Sequence, residues 1–195
     1  MRPGSITRTN LLNRREAARF ADISLGMVDK TIEQQVIGVQ RGAKRELLLD
    51  SEEVAVLWML ARIEIALSVS TKREIRTWLL TEKPYRAERS ATLPLGEALF
   101  FNWPAEAAVV VREAEKYAEQ RDRFVSRDPS IKGGEPVIAG SRVSVYAVAA
   151  RLAGGDSIEN LLDDWPHLER AAIEAADLYA RTHPRRGRPA SRWPS

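Results

Sequence analysis

No cysteine occurs anywhere in the 195 residues, so neither a disulfide framework nor a thiolate metal site is available. That absence suits a reducing compartment, and a cytoplasmic location is the expectation. Histidine is scarce: the two present, His167 and His183, are too little for a His-based triad or metal cluster. Asp163-Asp164 reads as the polar end of a helix and not as a catalytic carboxylate pair. Ile131-Lys132-Gly133-Gly134 lacks the spacing and following helix of a phosphate loop. A non-catalytic protein with no metal and no cofactor is therefore expected. Long apolar runs are missing as well: nothing approaches the ~18 uninterrupted apolar residues that span a bilayer, and the first ten residues hold no apolar export core. No membrane association is expected.

What is present is enough for packed cores. Hydrophobic residues make up 44% and charged residues 29% of the chain, ordinary values for a globular protein. The length admits two modules of ~80–100 residues. The formal net charge of +3 hides a segregation. Residues 1–50 carry nine Lys/Arg against six Asp/Glu, and residues 51–180 carry sixteen against twenty-one. Residues 181–195 carry five arginines and no acid. Positive charge thus gathers at both ends, where an anionic partner would be met. Five arginines without a lysine favour fork-like recognition of carboxylate or phosphate over simple solvation.

Along the chain, Asn13 is placed as an N-cap with Glu16 completing a capping box, opening a helix over Arg14 to Ala21. Asp22-Ile23-Ser24 breaks it, and Ser24 caps a second helix in which Val28 and Ile32 face inward. Val39 to Leu49 reads as a basic hairpin, or wing, turning near Gly42. Asp50 to about Leu67 is a strongly apolar helix, Thr71 to Leu80 an amphipathic one, and Lys83 to Leu93 a loop. Leu95 to Trp103 is read as a strand, and Pro104 starts a long helix to about Arg123. Residues 125–145 are Gly- and Pro-rich, irregular or hairpin structure. Three helices follow at about 144–153, 157–164 and 168–182. These elements give domains at 1–82 and 104–182, a linker with a strand at 83–103, and a basic tail at 183–195 too poor in apolar residues to fold alone.

The first functional signal is a spacing. Ala18, then Asp22 four residues on, then Val28, puts a small residue at a helix crossing, a residue tolerant of positive φ at a turn, and an apolar residue closing the core. With the Gly42 hairpin after it, this resembles the winged helix-turn-helix of MerR- and excisionase-like regulators. In that reading Arg14, Arg15, Lys30, Arg41, Lys44 and Arg45 contact phosphate, while Gln34 and Gln35 reach bases. Asp29 and Glu33 on the second helix argue the other way, since they would face a polyanion. The alternative is a degenerate module used for dimerisation.

The second signal lies in residues 124–183. Asp128-Pro129 forces an extended entry, and Gly133-Gly134 and Gly140 permit turns that side chains resist. Gly154 or Gly155 ends one helix while Asp156 or Ser157 caps the next. Trp165 and Leu168 plug the gap between the last two helices, with Ala172, Ile173, Ala176 and Tyr179 facing inward. The order Asp128-Pro129, Gly133-Gly134, Pro136, Ile138, Gly140, Arg142, Val145, Gly155, Ser157, Trp165-Pro166 and Tyr179-Ala180 is similar to the domain of unknown function 433 family. It departs from the family pattern at Ser141 and Glu169, where threonine is usual. At Glu169 the helix start is expected to be looser.

The resemblance implies a trihelical, homeodomain-like module, in proteins often found as antitoxins of type II toxin–antitoxin pairs. The partner it implies is a PIN-like ribonuclease toxin, and the two-module architecture with an Arg-rich end resembles VapB-type antitoxins. The whole-chain expectation is mainly α: an N-terminal winged helix-turn-helix, a short β element, and a C-terminal three-helix module. The last helix carries Glu169, Glu174 and Asp177 against Arg170, which suits a protein partner better than a DNA groove. Arginines of the tail, Arg181, Arg185, Arg186 and Arg188, are the candidate toxin contacts, aimed at a nuclease's acidic pocket, with Trp193 as an apolar anchor. Arg185-Arg186-Gly187-Arg188-Pro189 also resembles an AT-hook. The expected function is an antitoxin that occludes its nuclease and, as a homodimer, represses its own operator. The alternative is a stand-alone transcriptional regulator with a C-terminal dimerisation module.

Overall fold

A computed structural model describes residues 11–43, 45–86, 90–95, 97, 100–104 and 107–185. Among them the chain is mainly helical, with eight α-helices and three small antiparallel sheets. It divides into two compact units between Glu119 and Gln120.

The first unit begins with β1 (Leu11–Asn13), α1 (Arg14–Ala21) and α2 (Leu25–Glu33). β2 (Gln40–Arg41) and β3 (Leu47–Asp50) form a hairpin, and β3 also pairs with β1 in the order β1-β3-β2. β1 escapes sequence reading because three residues are too few to show an alternation. Its register sets Leu12 opposite Leu49, both fully buried.

α3 (Ser51–Leu60) and α4 (Val69–Glu82) follow. The apolar pattern suggested one helix to residue 67, but α3 stops seven residues earlier. Arg62 turns away to bond the Ala21 and Trp58 carbonyls, at 3.4 and 3.0 Å. The Ser68 hydroxyl then accepts from Thr71 N–H at 3.1 Å and starts α4. Val28, Val54, Leu57, Ile75 and Leu79 are fully buried in this unit.

β4 (Ala91–Pro94) and β5 (Phe100–Trp103) form a ladder with Leu93 opposite Phe101. The residue pattern predicts a strand over 95–103 and a loop through Leu93, whereas the ladder uses Ala91–Pro94 and Phe100–Trp103. The first part of α5 (Ala108–Phe124) completes the unit. The sequence boundaries at 82 and 103 place this helix with the C-terminal module; its residues through Glu119 lie in the first compact unit. The cause is contact: Val111, Ala114 and Ala118 are buried. Glu115 accepts from the Ser51 hydroxyl at 3.0 Å and from Arg86 at 2.6 Å.

The second unit holds β6 (Val125–Ser126) paired with β7 (Val137–Ile138), then α6 (Val145–Ala153), α7 (Ile158–Asp164) and α8 (Arg170–Thr182). Ile138, Val145, Val148, Leu161, Ile173 and Ala176 form its core, with Trp165 packed against it. Gly155 has φ 103°, a conformation that a Cβ disfavours, and lets the chain turn from α6 into α7. Ser157 caps α7 in a capping box with Asn160.

α8 is the exception: its N-cap Glu169 makes no side-chain cap bond, and its carboxylate instead accepts from Arg123 at 3.1 Å. Threonine at this position would add a cap worth about 1 kcal/mol. The lost carboxylate gives back roughly half of that, through the helix dipole and one exposed pair. Glu169→Thr is thus expected to raise the midpoint of the second unit's thermal unfolding by a few degrees. An unchanged or lower midpoint in calorimetry would refute the missing cap as a weak point.

Candidate functional site

α1 and α2 meet through a tight turn. Asp22 adopts the left-handed conformation, φ 56° and ψ 53°, and Ile23 N–H donates to Ala18 O at 3.0 Å. Ala17, Ala18, Ala21 and Val28 are buried where the helices cross. Ser24 caps α2 through Met27 N–H at 3.2 Å. Two side chains far away in sequence brace this turn and the end of α2. The Arg62 guanidinium lies over the Trp58 ring, 4.0 Å from its centroid, and 3.8 Å from the Asp22 carboxylate. Arg73 donates to the carbonyls of Gln34 and Gln35, at 2.7 and 3.1 Å. Both arginines place cations at helix C-termini, where unsatisfied carbonyls collect negative potential.

The exposed face of α2 carries Gly26, Lys30 and Glu33 at four- and three-residue steps. Asp29 is not a free anion on this surface: Arg14 on α1 pairs with it. The repulsion that Asp29 would exert on a polyanion is therefore largely met within the unit, which leaves Glu33. Arg15 is exposed on α1, and Arg41 on β2 is exposed too. Arg45 is exposed in the hairpin turn, where its own φ is 60° and Gly42 N–H donates to Glu46 O at 2.9 Å. Lys44 lies outside the described residues. Gln34 is the C-cap of α2, and Gln35 beyond it has φ 53°. Both therefore sit at the C-terminal end of α2, away from the N-terminal turn from which recognition helices usually read bases.

Beneath this surface Glu16 is fully buried. Its carboxylate accepts from Asn13 N–H at 2.7 Å and from the Tyr117 hydroxyl at 2.9 Å. The Phe20 and Tyr117 rings lie 5.4 Å apart. The capping box of α1 is thereby joined to α5 by a buried bond that the local sequence does not announce.

In the second unit the acidic face of α8 is real but partly answered. Arg170 pairs with Glu159, holding that carboxyl below the usual range, whereas Glu169 and Glu174 are exposed. Asp164, one half of the acidic pair near the end of α7, is bonded to Arg151, which also holds Asp156 and lies 5.2 Å from the Trp165 ring centroid. The Ile131–Gly134 turn leads into β7 and not into a helix. Among the described residues, no three His, Cys, Asp or Glu side chains gather as a metal site, and no helix is long and apolar enough to cross a membrane. Of the tail arginines, Arg181 pairs with Asp177 one turn back at 2.9 Å, and Arg185 pairs with Glu135. Arg186, Arg188 and Trp193 lie outside the described residues.

The chain is 28% identical over 191 residues to a Sinorhizobium fredii (strain NBRC 101917 / NGR234) protein described as uncharacterized protein y4eO, covering 91% of this chain and 84% of that one. The crystal structure of Rv2018 from Mycobacterium tuberculosis aligns over 85% of this chain and 96% of that one, at 18% identity and a TM-score of 0.35. Residues 125–180, which hold β6 to most of α8, match the model of the family described as protein of unknown function (DUF433), the family whose Gly/Pro pattern the C-terminal sequence resembles.

Proposed function

We propose that this chain is an antitoxin-like repressor, which binds operator DNA through its first unit and a PIN-like nuclease through its C-terminal region. The observation that carries the DNA half is the α1–α2 turn. A left-handed Asp22 sets two helices against each other over Ala18 and Val28, as a helix-turn-helix requires, with exposed Lys30, Arg15 and Arg41 around the outer helix. In this reading β2 and β3 are the wing. Arg15, Lys30, Arg41, Lys44 and Arg45 contact phosphates, and Arg14 holds Asp29 out of the way. Two half-sites require a homodimer. The toxin half rests on the C-terminal family pattern and on the arginines from Arg181 onward, whose fork geometry suits a carboxylate-lined nuclease pocket.

The test is fluorescence anisotropy with a labelled duplex from immediately upstream of this gene, beside co-purification from the native host. Arg15→Ala and Arg41→Ala should each weaken binding to all sequences alike and lower the salt slope by about 1. For the nuclease, the informative truncation ends after Arg185. Ending at Ala180 would also remove Thr182, which is buried in the second unit. A small nuclease recovered with the full chain and lost on truncation supports tail occlusion. DNA binding with no nuclease partner would leave a stand-alone regulator, and a chain that binds no DNA would end the repressor reading.

A further inference from the structure

Past α8 the chain is fastened back onto its own unit. The His183 ring stacks on Tyr179 with centroids 3.9 Å apart and planes within 5°. The Tyr146 hydroxyl donates to the His183 carbonyl at 2.8 Å. Two residues further on, Arg185 lies over the Tyr146 ring, 4.7 Å from its centroid, and its guanidinium pairs with Glu135. Glu135 is held in turn: its Oε1 accepts from the Ser144 hydroxyl at 2.8 Å, and Ser144 is buried as the N-cap of α6. The Glu135 side chain is only 25% exposed, against 63% for Arg185. The fixed part of the contact is therefore the receptor, and the arginine is the visitor.

A carboxylate braced by a hydroxyl beside the half-buried Tyr146 ring meets both demands of a guanidinium. The carboxylate takes its in-plane N–H donors and the ring takes its flat face. An ammonium would meet only the first of these, being a compact charge without a plane. We infer that Glu135, Ser144 and Tyr146 form a guanidinium-binding site on the second unit, and that its ligand in the free chain is Arg185. The contact lies wholly within the second unit and does not depend on the proposed function. Any partner that draws on the tail meets it. Arg185 is already spoken for, and a partner carboxylate has to displace Glu135 to recruit it. The contact is exposed enough to be reversible, because pairs open to solvent are weak and are screened by salt.

Limited trypsin digestion of the full chain tests this directly, because the protease must draw the guanidinium into its own pocket before cutting. Mass spectrometry of early fragments gives the ratio of cleavage after Arg185 to cleavage after Arg186, the second bond serving as internal standard. The wild-type ratio should be low in dilute buffer. It should rise at least about threefold, as expected for loss of an exposed charge pair and ring contact, in Glu135→Gln and in Tyr146→Leu. It should also rise for the unaltered chain in about 0.5 M sodium chloride, where the Debye length is only a few ångströms. Circular dichroism establishes that the variants remain folded, and the salt series needs no variant at all. A ratio that stays level in the salt series, or in both folded variants, overturns the inference.

Discussion

Glu53→Ala is expected to lower the stability of the first unit by about 2–3 kcal/mol, because it strips a partly buried guanidinium and a backbone N–H of a buried charged acceptor. Glu53 is 5% exposed, and its carboxylate accepts from Arg76 Nε at 3.0 and 2.9 Å, one bond to each oxygen, with Arg76 Nη2 closing the fork. The same carboxylate accepts from Gly38 N–H at 3.0 Å. One side chain thus joins α3, α4 and the segment between α2 and β2. The bond to Glu53 raises the Arg76 pKa above its ordinary value, so alanine leaves a charged guanidinium without its acceptor. Gly38 shares the constraint, since a Cβ there would come within 2.8 Å of both Arg76 Nη2 and Glu53 Oε1. Urea unfolding followed by fluorescence reads the effect. Trp58, Trp78 and Trp103 all lie in the first unit. The double change Glu53→Met with Arg76→Met should recover much of the loss, because apolar groups of similar size escape the desolvation penalty. A loss under about 1 kcal/mol for Glu53→Ala would mean that water already solvates this pair.

What the sequence disclosed was local. Asn13 with Glu16, Ser24, Ser157 and Gly155 sit where helix ends need a hydroxyl, an amide or a left-handed residue, and such needs are met within four residues. Asp22 was legible for the same reason, its conformation following from its place between Ala18 and Val28. The long α5 was also foreseen as a helix, but not its membership of the first unit, because Glu115 and Tyr117 find their partners in Ser51, Arg86 and Glu16. The same limit hid the braces of the candidate site. Arg62 and Arg73 act on α1 and α2 across 41 and 39 residues, and Arg14 answers Asp29 across 15. Periodicity reports which face of a helix is buried and says nothing about which distant cation satisfies its last carbonyls. β4 was missed because Pro94 and the polar residues before it read as a loop, although a proline is tolerated at the end of a two-stranded ladder.

Glu16→Ala is expected to cost about 2–4 kcal/mol, more than an ordinary helix cap, because the residue does two things at once. As the third residue of α1 it accepts from the Asn13 N–H, and from inside the unit it accepts from the Tyr117 hydroxyl. Loss of a capping interaction alone is worth about 1 kcal/mol; taking a buried acceptor from a buried hydroxyl adds about 1–3 kcal/mol. The two contributions separate by substitution. Tyr117→Phe removes the second bond, keeps the ring against Phe20, and takes that donor from the buried carboxylate, so it should cost about 1–3 kcal/mol. Glu16→Gln keeps an oxygen for Asn13 N–H and offers an amide that the rotating Tyr117 hydroxyl can accept from, so it should fall between the two. Thermal unfolding of the four chains orders them, and Glu16→Ala no worse than Tyr117→Phe would show that the cap contributes nothing. The order also bears on the proposed DNA contact. Arg14 and Arg15 stand in the first turn of α1, the turn that Glu16 fixes from below. Fraying there should weaken duplex binding by Glu16→Ala at temperatures where the unit is still folded, whereas Tyr117→Phe leaves the first turn capped and the affinity unchanged.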